Sequence, residues 1–196
     1  MRCRPAACRD SRSSPLARAL SSTSDRCVYA CRVTAPFDPA KFRQVLGHVP
    51  TSVVVVTGFG TDGKPHGITI GSFVSVSLEP ALVGFLPGLN SRSWQEIAAS
   101  GKFCVNVLAD GQDELCWKFA KEADDKFDGV EWGTSPTGLP ELPGCVAVID
   151  CTVHSQIELG DHYMVVGHVQ TLDHVDDAGD AMAFYKGKVT RAVAVK

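Results

Sequence analysis

The first two strands of the predicted fold lie in residues 52–73, SVVVVTGFGTDGKPHGITIGSF. The run of four valines after Ser52 is β-branched throughout, and such residues favour a strand with both faces buried. Asp62-Gly63 is the strongest element of a hairpin turn, so the chain is expected to return as a second strand over residues 66–71. This stretch therefore predicts an antiparallel hairpin at the start of the fold.

The rest of the chain continues with short strands and a few helices. Helical spacing and capping residues predict helices at about 38–50, 91–100 and 111–121, with Ser93 and Glu96 as a capping box in the second. The remaining strands are predicted at about 73–78, 81–86, 102–108, 145–157, 162–172, 181–186 and 189–194. Strands joined mostly by hairpins predict a mainly β protein with inserted helices, built as an antiparallel barrel. Small barrels of this size often leave edges and apolar faces that dimerisation covers.

Charge divides the 196-residue chain into two parts. Residues 1–35 carry seven arginines, no lysine and two acids, whereas the remainder carries 12 basic and 20 acidic residues. The first part is predicted to be a disordered leader, either a transit peptide or the product of an upstream start codon, and residues 36–196 form the predicted domain. An acidic domain argues against nucleic acid as a partner. No apolar run is long enough to span a membrane.

The eight cysteines follow neither a disulfide pattern nor a zinc pattern. No C-x-x-C occurs, and the cysteines of the domain stand singly in apolar stretches: Cys104, Cys116, Cys145 and Cys151. Buried, reduced thiols are therefore expected, and no metal site is predicted. Reduced thiols favour a cytoplasmic location, with organellar import through residues 1–35 as the alternative.

Common cofactor and catalytic motifs are absent from the sequence. No strand is followed by G-x-G-x-x-G, and there is no P-loop, H-E-x-x-H or G-x-S-x-G. An enzyme with this sequence therefore either holds a cofactor in another kind of fold or uses histidines and acids alone.

Two glycines and two hydroxyl residues interrupt the apolar pattern of residues 66–73. Glycine weakens a strand, so its presence indicates the close approach of a flat ligand or of another backbone. Backbone amides and the hydroxyls of Thr69 and Ser72 suit the polar edge of a heteroaromatic ring. The alternative is a glycine-bent barrel strand that binds no ligand.

A second candidate site is Asn90-Ser91-Arg92-Ser93, at the start of a predicted helix. Free amides at a helix start, two hydroxyls and a fixed cation form an anion site, for which phosphate is the natural ligand. The alternative is plain N-capping by Ser91 or Ser93, which explains the serines but leaves Arg92 unexplained.

The third candidate is His162, which follows Gly160-Asp161, with Tyr185 further along the chain. A lone histidine in a strand is more often packed or solvated than catalytic. A metal site would need further ligands at suitable spacing, which the sequence does not supply.

Several motifs occur in a characteristic order between about Phe42 and Arg191. They are Phe42-Arg43, Thr51-Ser52-Val53, residues 66–73, residues 75–80, Ser91-Arg92-Ser93-Trp94, residues 101–108, Lys126-Phe127, Gly160-Asp161-His162 and residues 184–187. In this order and spacing the chain resembles the flavin reductase-like family, which has an FMN-binding split barrel. In particular it resembles the reductase components of two-component flavin-dependent monooxygenases.

The resemblance implies a homodimer that binds FMN or FAD and reduces it with NADH or NADPH, and the sequence leaves both choices open. Reduced flavin would then pass to a separate monooxygenase. Two other functions remain possible for a chain of this pattern: a flavin-binding protein that does not use NAD(P)H, and a non-enzymatic dimeric interaction module.

The resemblance also implies roles for individual residues. Thr51 and Ser52 would lie close to the flavin ring, and His162 and Tyr185 would flank the nicotinamide as catalytic residues. The phosphate end of the flavin would be held by Asn90, Ser91, Arg92 and Ser93. The isoalloxazine ring would contact His66, Gly67, Ile68, Thr69, Ile70, Gly71, Ser72 and Phe73.

Overall fold

The computed structural model describes residues 38–193, so the leader predicted at residues 1–35 lies outside the described residues. The helices are α1 (Pro39–Leu46), α2 (Arg92–Ser100) and α3 (Asp113–Ala120). The strands are β1 (Thr51–Ser52), β2 (Val54–Phe59), β3 (Pro65–Ile70), β4 (Val74–Ser77), β5 (Leu82–Phe85), β6 (Lys102–Val107), β7 (Gly133–Thr134), β8 (Pro140–Glu141), β9 (Ala147–Leu159), β10 (His162–His174), β11 (Ala181–Tyr185) and β12 (Lys188–Ala192).

Seven of the strands form one antiparallel sheet in the order β3-β2-β6-β9-β10-β5-β4. A three-stranded sheet, β1-β11-β12, is joined to it by backbone hydrogen bonds from Val53 N to Met182 O and from Leu108 N to Val53 O. The short hairpin β7–β8 lies in the long connection between α3 and β9. The predicted antiparallel, mainly β fold with inserted helices is therefore confirmed.

Strand β2 runs between two apolar cores, as its run of valines predicts. Alternate valines face opposite cores because successive side chains of a strand point to opposite faces. The first core contains Phe85, Trp94 and Phe103, whose rings pack edge to face with centroids between 5.0 and 6.0 Å apart. The second core contains Phe119 and Met182. Helix α2 covers the first core, and helix α3 covers the second.

Gly67 allows α3 to pack against β3. A Cβ atom on Gly67 would lie 2.5 Å from Cδ1 of Phe119, closer than two carbon atoms can approach without strain. The close neighbour of this glycine is thus an aromatic side chain, whereas the sequence predicted a flat ligand or another backbone. Thr69 lies on the same face of the strand, and its hydroxyl donates to Cys116 O at 2.7 Å. Both residues therefore attach α3 to the sheet.

Helix α2 begins at Arg92, one residue after its N-cap. Ser91 is that cap: its backbone is extended and its Oγ accepts a hydrogen bond from Trp94 N at 3.3 Å. The capping box predicted for Ser93 and Glu96 is therefore wrong. Ser93 already lies inside the helix and is buried, so its side chain is not at the capping position.

The apolar side of α1 is exposed in the described chain. The helix ends at Leu46, although the sequence predicted that it would continue to Pro50. Val45, Leu46 and Val49 are each at least half exposed. A contiguous apolar face of this kind usually marks an interaction surface. Within residues 38–193, no helix combines the length and apolar character needed to cross a membrane.

Candidate functional site

Two clefts meet at the hairpin between β9 and β10. The first, here called the α2 cleft, has a volume of about 640 Å³ and is lined by Ile68, Thr69, Gly88, Leu89, Asn90, Ser91, Arg92, Ala120, Glu122, Lys126, Asp161 and His162. The second, here called the α1 cleft, has a volume of about 880 Å³ and is lined by Pro39, Phe42, Arg43, Thr51, Gly71, Ser72, Leu86, Leu159, Asp161 and His162. Each has the size of a small-molecule site. Asp161 and His162 line both clefts and join them.

The start of α2 supplies the polar end of the α2 cleft. The first amides of a helix have no partner within the helix, so those of Arg92 and Ser93 are open to an anion. The hydroxyl of Ser91 is engaged as the N-cap, which supports the capping role that the sequence left as an alternative. Capping does not explain Arg92, whose side chain is 63% exposed. The arginine lines the cleft, where Glu122 and Asp124 lie 3.5 Å from its guanidinium nitrogens.

Lys126 adds a second cation to this cleft and was not assigned a role from the sequence. The residue is only 6% exposed, and its Nζ donates to Phe119 O at 3.1 Å. Burial lowers the pKa of the Lys126 ammonium, an effect that nearby Glu122 opposes and Arg92 reinforces. The sequence showed Lys126 only as part of the Lys126-Phe127 motif, with no role attached, and its burial follows from the packing of α3.

The α1 cleft has glycine and hydroxyl groups in its wall. A Cβ atom on Gly71 would lie 3.1 Å from Thr51 Oγ1, so a glycine lets β1 lie close to the end of β3. Ser72 Oγ accepts from Leu86 N at 2.9 Å, which fixes the side chain. Ser52 Oγ is buried and has no hydrogen-bond partner within the described residues. A buried hydroxyl left without a partner costs about 1–3 kcal/mol, but Ser52 lines neither cleft, so the structure does not bring this predicted site residue to the clefts.

Four residues of the predicted ring-binding segment line neither cleft. His66 lies at the β2–β3 turn, with Nε2 3.8 Å from Asp62 Oδ1. Gly67 packs against Phe119, while Ile70 and Phe73 pack in the first core. The structure therefore brings alternate parts of the segment to the clefts, namely Ile68, Thr69, Gly71 and Ser72.

His162 is held at the junction of the clefts by its neighbour. Its Nδ1 lies 2.7 Å from Asp161 Oδ1, and this hydrogen bond holds the pKa of the Asp161 carboxyl below its ordinary value. Because a carboxylate only accepts, Nδ1 carries the proton, and Nε2 of a neutral His162 can accept a hydrogen bond from a ligand. The ring is about half exposed. It can therefore contact molecules in either cleft.

Tyr185 is not brought to His162 within one chain. It lies at the end of β11, where its ring packs edge to face with His48 at 6.4 Å and under Lys186 Nζ at 5.1 Å. It lines neither cleft. Among residues 38–193, no group of three or more His, Cys, Asp or Glu side chains is placed to hold a metal ion.

The fold is that of a mainly β, antiparallel split-barrel protein with two adjoining clefts. A family model described as "Flavin reductase like domain" matches residues 46–192. The chain belongs to this family, and the family predicted from the sequence motifs is confirmed.

Relatives of the same family are similar over most of the chain. The flavin reductase of Pseudomonas putida is 49% identical over 155 residues, which is 79% of this chain and 91% of that protein. The reductase subunit HsaB of a flavin-dependent monooxygenase from Mycobacterium tuberculosis (strain ATCC 25618 / H37Rv) is 43% identical over 159 residues, with 81% and 84% covered.

Two solved structures have the same fold. Nitrilotriacetate monooxygenase component B from Mycobacterium thermoresistibile superimposes with a TM-score of 0.75 at 41% identity, covering 79% of this chain and 86% of that one. The NADH:FAD oxidoreductase SgcE6 of Streptomyces globisporus C-1027, in complex with NAD and FAD fragments, gives 0.74 at 36% identity, with 80% and 93% covered.

Proposed function

We propose that this protein is an NAD(P)H-dependent flavin reductase that transfers hydride from NADH or NADPH to FMN or FAD. The observation that carries the proposal is the pair of clefts joined at His162, one of which ends in an open helix start with Arg92 and the buried Lys126. One cleft suits the flavin with its phosphate, and the other leaves room for a second ligand. Family membership supports the same activity.

The α2 cleft holds the phosphate end of the flavin in this proposal. The amides at the start of α2, together with Arg92 and Lys126, supply donors and positive charge for an anion. Ile68 offers apolar contact to the ring. Thr69 can only accept a further hydrogen bond, because its proton is already donated to Cys116 O.

The α1 cleft completes the proposed site. Thr51 and Ser72 lie in its wall and supply hydroxyl groups. These groups suit the polar edge of the flavin ring or the nicotinamide amide. When bound, the two cofactors supply the hydride chemistry themselves. The protein's contribution is to orient them at reacting distance, which is mainly an entropic effect.

His162 is proposed to position the nicotinamide. Asp161 holds the histidine ring so that Nε2 faces away from the carboxylate and can accept a hydrogen bond. No acid or base is required for hydride transfer, so the role of His162 is binding and orientation. The proposed role of Tyr185 depends on a second chain, because this residue lines neither cleft of its own chain.

A homodimer is the assembly that we propose. Val45 and Leu46 at the end of α1 and Val49 just after it are exposed apolar residues, and Val74 and Val76 of the edge strand β4 are about half exposed. A second copy would remove this surface from water at about 25 cal/mol per Å² of apolar area. Sedimentation or scattering measurements on the full chain would test the assembly.

The reduced flavin is proposed to leave for a separate monooxygenase. The names of two relatives, a reductase subunit of a flavin-dependent monooxygenase and a monooxygenase component B, support this proposal. The cytoplasmic location stays a prediction. It is supported by four free, buried cysteines in the described residues.

The activity is tested by mixing the purified protein with each flavin and each nicotinamide cofactor and following the nicotinamide absorbance band. Oxidation of NADH or NADPH that depends on added flavin is the expected result. The proposal would be overturned if neither NADH nor NADPH were oxidised in the presence of FMN or of FAD. Retained yellow colour without NAD(P)H oxidation would instead identify a flavin-binding protein without reductase activity.

A further inference from the structure

The cation at the start of α2 has two carboxylate partners within the chain. Arg92 Nε lies 3.5 Å from Glu122 Oε2, and Arg92 Nη1 lies 3.5 Å from Asp124 Oδ1. Both acids follow α3, and Glu122 itself lines the α2 cleft. The cleft proposed to bind the flavin phosphate therefore already contains the carboxylate of Glu122.

Glu122 faces the second cation of the cleft as well. Its charge acts on Lys126 in the opposite sense to that of Arg92. Arg92, Lys126 and Glu122 all line the same cleft. Glu122 thus shares the cleft with both cations and carries a charge of the same sign as a phosphate.

A neighbouring acid of the same loop has a different role. Asp125 Oδ1 accepts hydrogen bonds from Phe127 N at 2.8 Å and Asp128 N at 3.1 Å, which fixes the turn. Glu122 and Asp124 make no such backbone contact within the described residues. The side chain of Glu122 is 54% exposed, and that of Asp124 is fully exposed. Both carboxylates pair with Arg92 instead. These two ion pairs do not stabilise the turn, and they partly neutralise the arginine.

We infer that Glu122 and Asp124 compete with the flavin phosphate for Arg92, that Glu122 also competes for Lys126, and that both acids so weaken flavin binding. The inference rests on the proposed flavin site. A phosphate that enters the cleft must displace these carboxylates or remain beside them, and like charges at short distance repel. The flavin phosphate therefore contributes less to the binding free energy than it would if the two cations and the helix start had no carboxylates beside them. A weakly held flavin is released readily after reduction.

The test compares FMN with riboflavin, which differ only in the phosphate. The affinities of wild type, Glu122→Gln and Asp124→Asn are measured by the change in flavin fluorescence on binding. Each substitution is expected to tighten FMN binding about twofold to fivefold, the range of an exposed ion pair, and to leave riboflavin binding unchanged. FMN release, followed by stopped flow, is expected to slow by a similar factor. Salt should diminish the difference because it screens exposed charges.

Two further variants separate this competition from a general charge effect. Asp128→Asn removes the same charge from the same loop, but within the described residues the Asp128 carboxylate makes no ion pair with Arg92 or Lys126, so FMN affinity is expected to stay at the wild-type value. In an Arg92→Ala background, the effect of Glu122→Gln should shrink, because its main partner is gone. An undiminished effect there would overturn the role of Arg92 in the competition.

The outcomes distinguish this inference from the proposed reductase activity. Equal FMN affinity in wild type, Glu122→Gln and Asp124→Asn would overturn the inference while flavin-dependent NAD(P)H oxidation still held. Tighter FMN binding without any NAD(P)H oxidation would support the competition and overturn the reductase. Failure of all variants to bind FMN, FAD and riboflavin would overturn both.

Discussion

Replacing Gly67 by alanine tests whether this glycine serves a ligand or the packing of α3. The added Cβ would lie 2.5 and 2.6 Å from two ring carbons of Phe119. Because Phe119 is fully buried, its ring cannot move into solvent, and the strand or the helix must shift. Overpacking of this kind destabilises a core by about 1–3 kcal/mol. We expect the free energy of unfolding of Gly67→Ala to fall by about that amount.

The assay is urea unfolding followed by tryptophan fluorescence. Gly133→Ala is the matched control, because a Cβ there would meet nothing within 4 Å, so its free energy of unfolding should change by at most about 0.5 kcal/mol. Phe119→Leu in the Gly67→Ala background should recover part of the loss by removing the clashing ring. Unchanged stability of Gly67→Ala with lost FMN binding would refute the packing role and restore the ligand role for this glycine.

Three further results are expected. Arg92→Ala should weaken binding of FMN but not of riboflavin, measured by flavin fluorescence, because only FMN carries the phosphate; equal loss for both ligands would contradict a phosphate role. Asp161→Asn should raise KM for NAD(P)H by on the order of tenfold with a smaller change in kcat, since His162 loses the carboxylate that orients it; a loss confined to kcat would argue against positioning. Burial raises the pKa of Cys145 and of Cys151 to about 12, so at pH 7 only roughly one thiol in 10⁵ is ionised. Mass spectrometry should therefore find that iodoacetamide alkylates neither cysteine until the protein unfolds. Rapid labelling of the folded protein would contradict their burial.

The sequence predicted the parts of the fold that local rules determine. The valines of β2 predicted a strand buried on both faces, and the two cores on either side of it bear this out. The turn at Asp62-Gly63 likewise joins β2 to β3. In these segments, β-branching, turn chemistry and tertiary packing all favour the same structure.

The sequence was less informative where two local readings compete. Ser91 and Ser93 are both good capping residues, and the spacing of Glu96 from Ser93 favoured Ser93 as the cap. Ser91 is the actual N-cap, because Ser93 is buried inside α2, and that burial depends on how the helix packs against the sheet. Gly67 indicated a close neighbour but not which one, since α3 is separated from it by more than 40 residues of sequence. The burial of Lys126 has the same origin: long-range packing of α3 decides it, and neighbouring residues carry no sign of it.

The relation between the two clefts depends on the backbone rather than on the side chains that line them. Leu89 N donates to Asp161 O at 3.0 Å, and Tyr163 N donates to Pro87 O at 2.9 Å. These bonds tie the β9–β10 hairpin, which carries His162, to the segment that leads directly into the N-cap of α2. One short piece of chain thus sets the distance between the phosphate end of the proposed flavin site and the residue proposed to orient the nicotinamide. Substitution of side chains in the clefts should therefore change affinity and release, whereas the mutual orientation of the two ligands is maintained as long as this backbone ladder remains intact.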